Sequence, residues 1–294
     1  DAALATVHLV TNDSGAAGRL RLFTITGTEG SEVLTAGPYV TAPDTWNDQG
    51  SYAPQLGTST LIETNDSRMQ TVVYRNGSLW AAHTIFLPAG GGTRSSIQWW
   101  EMTPVGAVVQ RGRIDDPAGA TFYAFPSMAV NKDGDALIGY SRFSATQHAS
   151  ANYSFRKAAD APGTMQADVV LKAGEAPYDE ISDYGENRWG DYSNTVVDPV
   201  DDSSMWTIQE YAATPGGGQD RWGTWWGKIE TCTPSNCVTP PECLTSTGAT
   251  CVAGSCVYPP GSDGAACTAD ADPCTDDVCQ AGACVHPAKA EGAA

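Results

Sequence analysis

The chain has 294 residues and a formal charge of −18, from 34 acidic against 16 basic side chains. A surface of that sign repels phosphate backbones, which argues against a nucleic-acid binder. No run of 18 apolar residues occurs, so no membrane-spanning helix is expected.

Read in chain order, the sequence offers short β-type runs and no sustained helical periodicity. The runs are Ala5–Val10, Leu20–Thr26, Met69–Tyr74, Ser78–Phe86, Ile97–Thr103, Ala107–Arg111, Ser127–Val130, Ala136–Ser141, Asp168–Lys172, Asn194–Val197, Met205–Tyr211 and Thr224–Ile229. Turn residues separate them. Asn76-Gly77 predicts a type I′ hairpin turn, which needs positive φ at both central residues, and Asp133-Gly134 reads the same way. Around that second turn, Asn131, Asp133 and Asp135 alternate about a glycine, which makes them the candidate metal ligands, with calcium the expected ion. No Glu follows to complete a twelve-residue calcium loop. Asp198, Asp201 and Asp202 form a second acidic turn, and Asp270, Asp272, Asp276 and Asp277 a third. On so acidic a chain, such turns are more often simply solvated. His83 reads as a packed or hydrogen-bonded histidine.

Three hairpins look like copies of one unit, and their anchors Val73, Val130 and Val197 lie 57 and 67 residues apart. A period of about 40–50 residues or somewhat more, with about four strands each, marks propeller blades. The expected fold is an all-β propeller, with a β-sandwich as the alternative. About four such units fit, the low end of what closes a ring. Either the propeller is small, or this chain is the C-terminal portion of a longer one, with another protein chain the alternative source of a missing blade.

All nine cysteines fall between Cys232 and Cys284. This places the body at 1–230 and a disulfide-stapled tail at 231–294. The tail has too few apolar side chains to offset its chain entropy without cross-links. All nine are assigned to disulfides: Cys232, Cys237, Cys243, Cys251, Cys256, Cys267, Cys274, Cys279 and Cys284, with Cys232 and Cys237 expected to pair. Disulfides need an oxidising compartment, so the protein is expected to be secreted, extracellular or at the cell surface. Asp1-Ala2-Ala3 opens without a signal peptide, and a processed terminus is expected. The odd count leaves one cysteine for another chain, or for a partner on sequence removed at either end.

The densest candidate site is Tyr184, Glu186, Arg188, Trp189, Asp191 and Tyr192, six residues within the ten of Tyr184–Ser193, on a loop just before a strand. Aromatic faces stack on sugar rings, and an arginine with carboxylates fixes hydroxyls. The competing reading makes Trp189 and Tyr192 core anchors and pairs Arg188 with Asp191 structurally.

The runs Arg188-Trp189-Gly190-Asp191-Tyr192-Ser193, Trp206–Tyr211, Tyr74–His83 and Arg221–Gly227 resemble secreted bacterial proteins with sialidase-like (BNR-type) β-propellers. That resemblance implies a propeller and secretion, and no particular reaction. The sialidase Asp-box is absent; Asn131–Ala136 lacks its Thr-Trp end. The tail resembles myxobacterial cysteine-rich repeats, through Asp272–His286 and the looser copy Cys243–Val257. The expected function is a non-catalytic binding or structural module associated with glycan, matrix or cell surface. The alternatives are a glycoside hydrolase or lyase, and a subunit of an extracellular assembly.

Overall fold

A computed structural model describes residues 6–230, 237–252 and 255–289. The chain divides into two compact units, Asp1–Ile229 and Glu230–Ala294.

In the first unit the period-2 runs become four antiparallel meanders. The first contains β1 (Thr6–Ser14), β2 (Arg19–Thr26) and β3 (Val33–Thr41). The second contains β4 (Met69–Arg75), β5 (Ser78–Leu87), β6 (Arg94–Met102) and β7 (Val108–Ile114). The third contains β8 (Thr121–Val130), β9 (Ala136–Ser144), β10 (Gln147–Arg156) and β11 (Val169–Lys172). The fourth contains β12 (Asn194–Val197), β13 (Met205–Gly216) and β14 (Gln219–Ile229). Within each sheet a strand pairs only with its sequence neighbours, and β4, β8 and β12 lie side by side. This is the arrangement of propeller blades, and the body is an all-β propeller. Val73, Val130 and Val197 sit on β4, β8 and β12, so the 57- and 67-residue spacings count from blade to blade. A sandwich, with its two sheets, is not the arrangement.

Face-to-face packing of these sheets makes the core. Val10, Leu20, Leu22 and Val40 of the first sheet pack against Leu79, Ile85 and Trp100 of the second. The opposite face of the second sheet sets Trp80, Ile97 and Trp99 against Met128, Ile138 and Tyr140 of the third. Trp99 and Trp100 are adjacent in sequence and fully buried in different clusters, because successive strand residues point to opposite faces.

Two turns differ in chemistry. Asn76 (φ 52°) and Gly77 (φ 82°) form the I′ turn between β4 and β5. At Asp133-Gly134 only the glycine has positive φ (83°). Val130 pairs with Ala136 across a five-residue loop, and the expected two-residue turn is replaced. The cause is Asn131, whose Oδ1 accepts the N–H groups of Asp133 (3.0 Å) and Asp135 (2.9 Å).

The first sheet is out of phase with the others. Residues 46–51 pass the β1–β2 turn (Trp46 N–H to Gly15 O, 3.0 Å) and the β5–β6 turn (Ser51 N–H to Gly92 O, 2.8 Å). They also meet the start of β4 (Ser67 N–H to Asp48 O, 2.9 Å). β1 therefore runs toward the end from which β4 departs, in the direction of β5. It takes the second-strand place of its sheet, and among the described residues it pairs with β2 alone. The two end sheets also keep apolar faces in solvent, with Val7 and Leu34 on one and Ile208 and Trp226 on the other.

In the second unit, β15 (Thr250–Val252) pairs with β16 (Ser255–Val257), and β17 (Val278–Gln280) with β18 (Ala283–Val285). Among the described residues, three disulfides join Cys237–Cys256, Cys243–Cys279 and Cys267–Cys284. Two expectations are corrected. Cys237 bonds Cys256 and not Cys232, and Cys274 is a free, exposed thiol because its near neighbours Cys267 and Cys279 are already engaged. Cys232 and the side chain of Cys251 lie outside the described residues.

Candidate functional site

Two long connections meet at one end of the sheets: residues 42–68, between β3 and β4, and residues 173–193, between β11 and β12. Buried amides lock them together. Gln55 Nε2 donates to Tyr178 O (2.6 Å), and Tyr178 N–H donates back to Gln55 Oε1 (2.8 Å). Asn187 Nδ2 also donates to Tyr178 O (2.8 Å), and Glu63 N–H to Asn187 O (3.0 Å). Two loops with such buried bonds behave as a fixed platform, since each amide left unpaired there would cost about 1–3 kcal/mol.

The six residues picked out in the sequence separate on this platform. Trp189 is buried, donates from Nε1 to Ser141 Oγ (3.1 Å), and meets Phe143 and Tyr178 edge-to-face. It is a core anchor and holds the loop down. Tyr184 is 91% exposed at the tip of the Ser182–Glu186 turn, and Tyr192 is 62% exposed. The reading of Tyr192 as a core anchor is therefore corrected: only one indole is needed to fill the space among Ile62, Phe125 and Phe143. Arg188, Glu186 and Asp191 converge.

Arg188 organises the acidic groups. Its guanidinium contacts Asp191 (3.0 Å), Glu63 (3.2 Å) and Glu186 (3.9 Å). Asp191 also accepts from Asn65 Nδ2 (3.0 Å), and its carbonyl accepts from Gln70 Nε2 (2.8 Å). Burial pushes the Glu63 carboxyl up, against the pull of Arg188, and the charges of Glu186 and Asp191 add to the rise. Tyr52 hydrogen-bonds Glu186, and burial, then Glu186 and Glu63, raise its phenol. Arg68 forks onto Asp66 (2.8 and 2.9 Å) and bonds the Tyr192 phenol. Asp66 and Arg68 also line a cleft of about 430 Å³ with Asn12, Asp48, Gln49 and Ser67.

Glu210, from β13, completes the cluster. It is 8% exposed, and its carboxyl accepts the Gly190 N–H. Burial, with the charge of Asp191 added, pushes its carboxyl up to about 7. Glycine at 190 lets the backbone approach this group closely: a Cβ there would collide with the Glu210 carboxyl and force that side chain to move. Below the cleft His83 is fully buried, with Nδ1 facing Ser67 O (3.1 Å) and Nε2 accepting from Trp100 Nε1 (3.2 Å). Burial holds its imidazole down at about 4, so it is neutral and structural.

Glu210, Glu63, Tyr52 and Arg68 were not singled out in the sequence. Glu210 carried a signal: an acid inside an apolar-rich strand. Glu63 and Tyr52 carried none, because their loop has no periodicity.

The candidate calcium ligands lie at the opposite end of the sheets. Asn131 is buried, with Oδ1 occupied by two backbone N–H groups and Nδ2 donating to Ser203 O (2.9 Å). Asp135 accepts the Ala158 N–H (2.8 Å). This turn spends its oxygens on its own and neighbouring backbone. In the tail, Asp270, Asp277 and His286 come close together, with His286 Nδ1 at 2.6 Å from Asp277 Oδ1.

No family profile matches the sequence, so neither the sialidase-like nor the cysteine-rich repeat family is matched, and no curated protein matches it either. Among solved structures, a Penicillium chrysogenum α-L-arabinanase complexed with arabinobiose is similar at 8% identity and a TM-score of 0.39, over 76% of this chain and 71% of that one. At that identity and score the likeness assigns no chemistry to this chain.

Proposed function

We propose that the protein is a secreted, carbohydrate-directed protein whose loop platform cleaves a glycosidic bond, with Glu210 as proton donor. One observation carries this reading: Glu210 is a buried carboxyl with no cationic partner among the described residues, held up to about 7 beside the carboxyl group of Asp191. Two carboxyl groups pushed into different protonation states are the requirement for acid–base cleavage of a glycoside at neutral pH. Asp191, oriented by Arg188 and Asn65, is the second carboxyl group beside it. Tyr192 and Tyr184 offer exposed aromatic faces for sugar rings. Three disulfides in the tail support an oxidising, extracellular setting.

The second reading is a non-catalytic glycan-binding module. It is favoured by the way Arg188 holds Glu63, Glu186 and Asp191 around one guanidinium, which suits a static recognition surface. Hydrolysis of a panel of chromogenic glycosides and oligosaccharides, run alongside glycan-array binding, separates the two. Turnover that falls about 10²–10⁴-fold in Glu210→Gln while binding persists is expected. Binding without turnover in the wild type selects the module. Turnover that survives in Glu210→Gln and in Asp191→Asn removes this platform from the reaction.

A further inference from the structure

The tail contains one structural unit twice, and the duplication explains its free thiol. Cys251 stands opposite Cys256 in the hairpin β15–β16, and Cys279 opposite Cys284 in β17–β18. The backbone around each hairpin repeats in register. Leu244 bridges Pro260, and Thr275 bridges Ala288. Gly261 N–H donates to Cys243 O at 2.8 Å, and Lys289 N–H to Cys274 O at 2.8 Å. Thr245 N–H donates to Pro259 O at 3.0 Å, and Asp276 N–H to Pro287 O at 2.9 Å. Pro260 and Ala288 each lie four residues beyond the second cysteine of their hairpin. Cys243 and Cys274 are therefore the same position in two successive repeats.

The disulfides follow this register. The second hairpin cysteine bonds back within its own repeat, as Cys237–Cys256 and again as Cys267–Cys284. Cys243 does something different. It crosses to Cys279, the first hairpin cysteine of the repeat that follows it. Cys274, its equivalent, is exposed and free.

We infer that Cys274 is the outgoing half of an inter-repeat disulfide, whose partner is the first hairpin cysteine of a further repeat of this kind. The ninth cysteine is thus a coupling position. Its partner is the cysteine at the Cys279 position of a hairpin like β17–β18, borne either later on the same polypeptide or on a second chain. The bond forms by exchange with a small-molecule disulfide such as glutathione disulfide. The Cys274 thiolate attacks one sulfur and expels a thiolate; the partner cysteine then attacks the mixed disulfide and expels the second. Two protein thiols become one disulfide, and the oxidant is reduced to two thiols.

The test lengthens the full chain by one more copy of residues 262–289, folded in a glutathione redox buffer. Non-reducing peptide mapping is expected to find Cys274 bonded to the first hairpin cysteine of the added copy, the three native disulfides kept, and the free thiol moved to the added copy's own Cys274 position. A second arm needs no added sequence. Cys243→Ser releases Cys279, so each chain carries both halves of the junction. Disulfide-linked dimers and larger species joined Cys274 to Cys279 are expected, and Cys274→Ser in the same chain abolishes them. Linkage in the lengthened chain alone assigns the partner to the same polypeptide, and linkage in both arms admits a second chain. Cys274 fully alkylatable in the lengthened chain with its native disulfides intact, together with no Cys274–Cys279 linkage between Cys243→Ser chains, overturns the inference.

Discussion

Glu210→Gln changes one atom type at a buried position and keeps an acceptor for the Gly190 N–H. Its effect on stability follows from the sign of the shift. Below about pH 4.5 the Glu210 carboxyl is protonated in both folded and unfolded chains, and the variant gains nothing. As the pH rises, the unfolded chain releases its proton near 4.5, while the folded protein keeps it until about 7. Wild-type stability relative to the variant therefore falls between pH 4.5 and 7 and is level above that. A displacement from 4.5 to about 7 corresponds to about 3 kcal/mol. In a unit of this size that is on the order of 10 °C in Tm. His83 acts in the opposite sense. Its imidazole is held at about 4, so unfolded chains take up a proton below about pH 6.5 while the folded protein does not, and stability is lost as the pH falls. The two slopes oppose each other over much of pH 4.5–6.5 and flatten the wild-type profile. The variant loses the Glu210 slope and keeps the rest of the wild-type dependence, so the variant-minus-wild-type difference grows from about pH 4.5 to about 7. All nine tryptophans lie in the first unit, so urea titrations followed by tryptophan fluorescence at a series of pH values read this unit alone. A variant-minus-wild-type difference that stays constant from pH 4.5 to 8 would refute the burial argument for Glu210.

Three further outcomes follow from named contacts. Gly190→Ala drives a methyl group into the Glu210 carboxylate and should cost about 1–3 kcal/mol, with Glu210→Ala in the same chain recovering most of it in a double-mutant cycle. Asn131→Ala removes a buried acceptor for two N–H groups and a donor to Ser203, so thermal unfolding should show a loss of about 1–3 kcal/mol with no change in any ligand affinity measured at the loop platform. Arg188→Ala leaves Glu63, Glu186 and Asp191 without their shared cation. The half-exposed site limits the stability cost to about 1 kcal/mol, but NMR titration should show the Glu63 carboxyl moving further up; an unmoved titration would mean Arg188 does not set the local charge.

The architecture was legible where hydrophobic alternation is strong. β4, β5 and β12 lie where their runs predict, and the repeat spacing counts blade to blade because each blade begins with a similar hairpin. β3 and β10 were missed for opposite reasons. β3 contains Pro38 and keeps most of its side chains in solvent, and β10 is built from small and polar residues that are buried only because flanking strands cover them. The loop site was half legible. The segment Tyr184–Tyr192 is chemically dense and was visible, yet Glu63 and Glu210 reach it from 121 residues upstream and 19 residues downstream of Tyr184 and Asp191 respectively, a juxtaposition only tertiary structure creates. Asp133-Gly134 misled because the turn dipeptide was weighed without the asparagine two residues before it. The cysteines gave the boundary of the tail, but pairing depends on which hairpin each thiol faces.

The place of β1 in its sheet bears on how the protein behaves in concentrated solution. Among the described residues one side of this nine-residue strand is unpaired, and such a side presents a row of N–H and C=O groups to any other extended chain. Within Thr6–Ser14 there is no lysine or proline to block that edge, and Val7 and Leu9 stand beside it in solvent. Long-range repulsion from the net charge of −18 opposes such pairing between copies. Salt shortens the reach of that repulsion to about 8 Å at physiological ionic strength. Colloidal stability should therefore decline as salt is added, the reverse of salting-in, and a second virial coefficient measured by light scattering should turn from positive toward negative with increasing ionic strength.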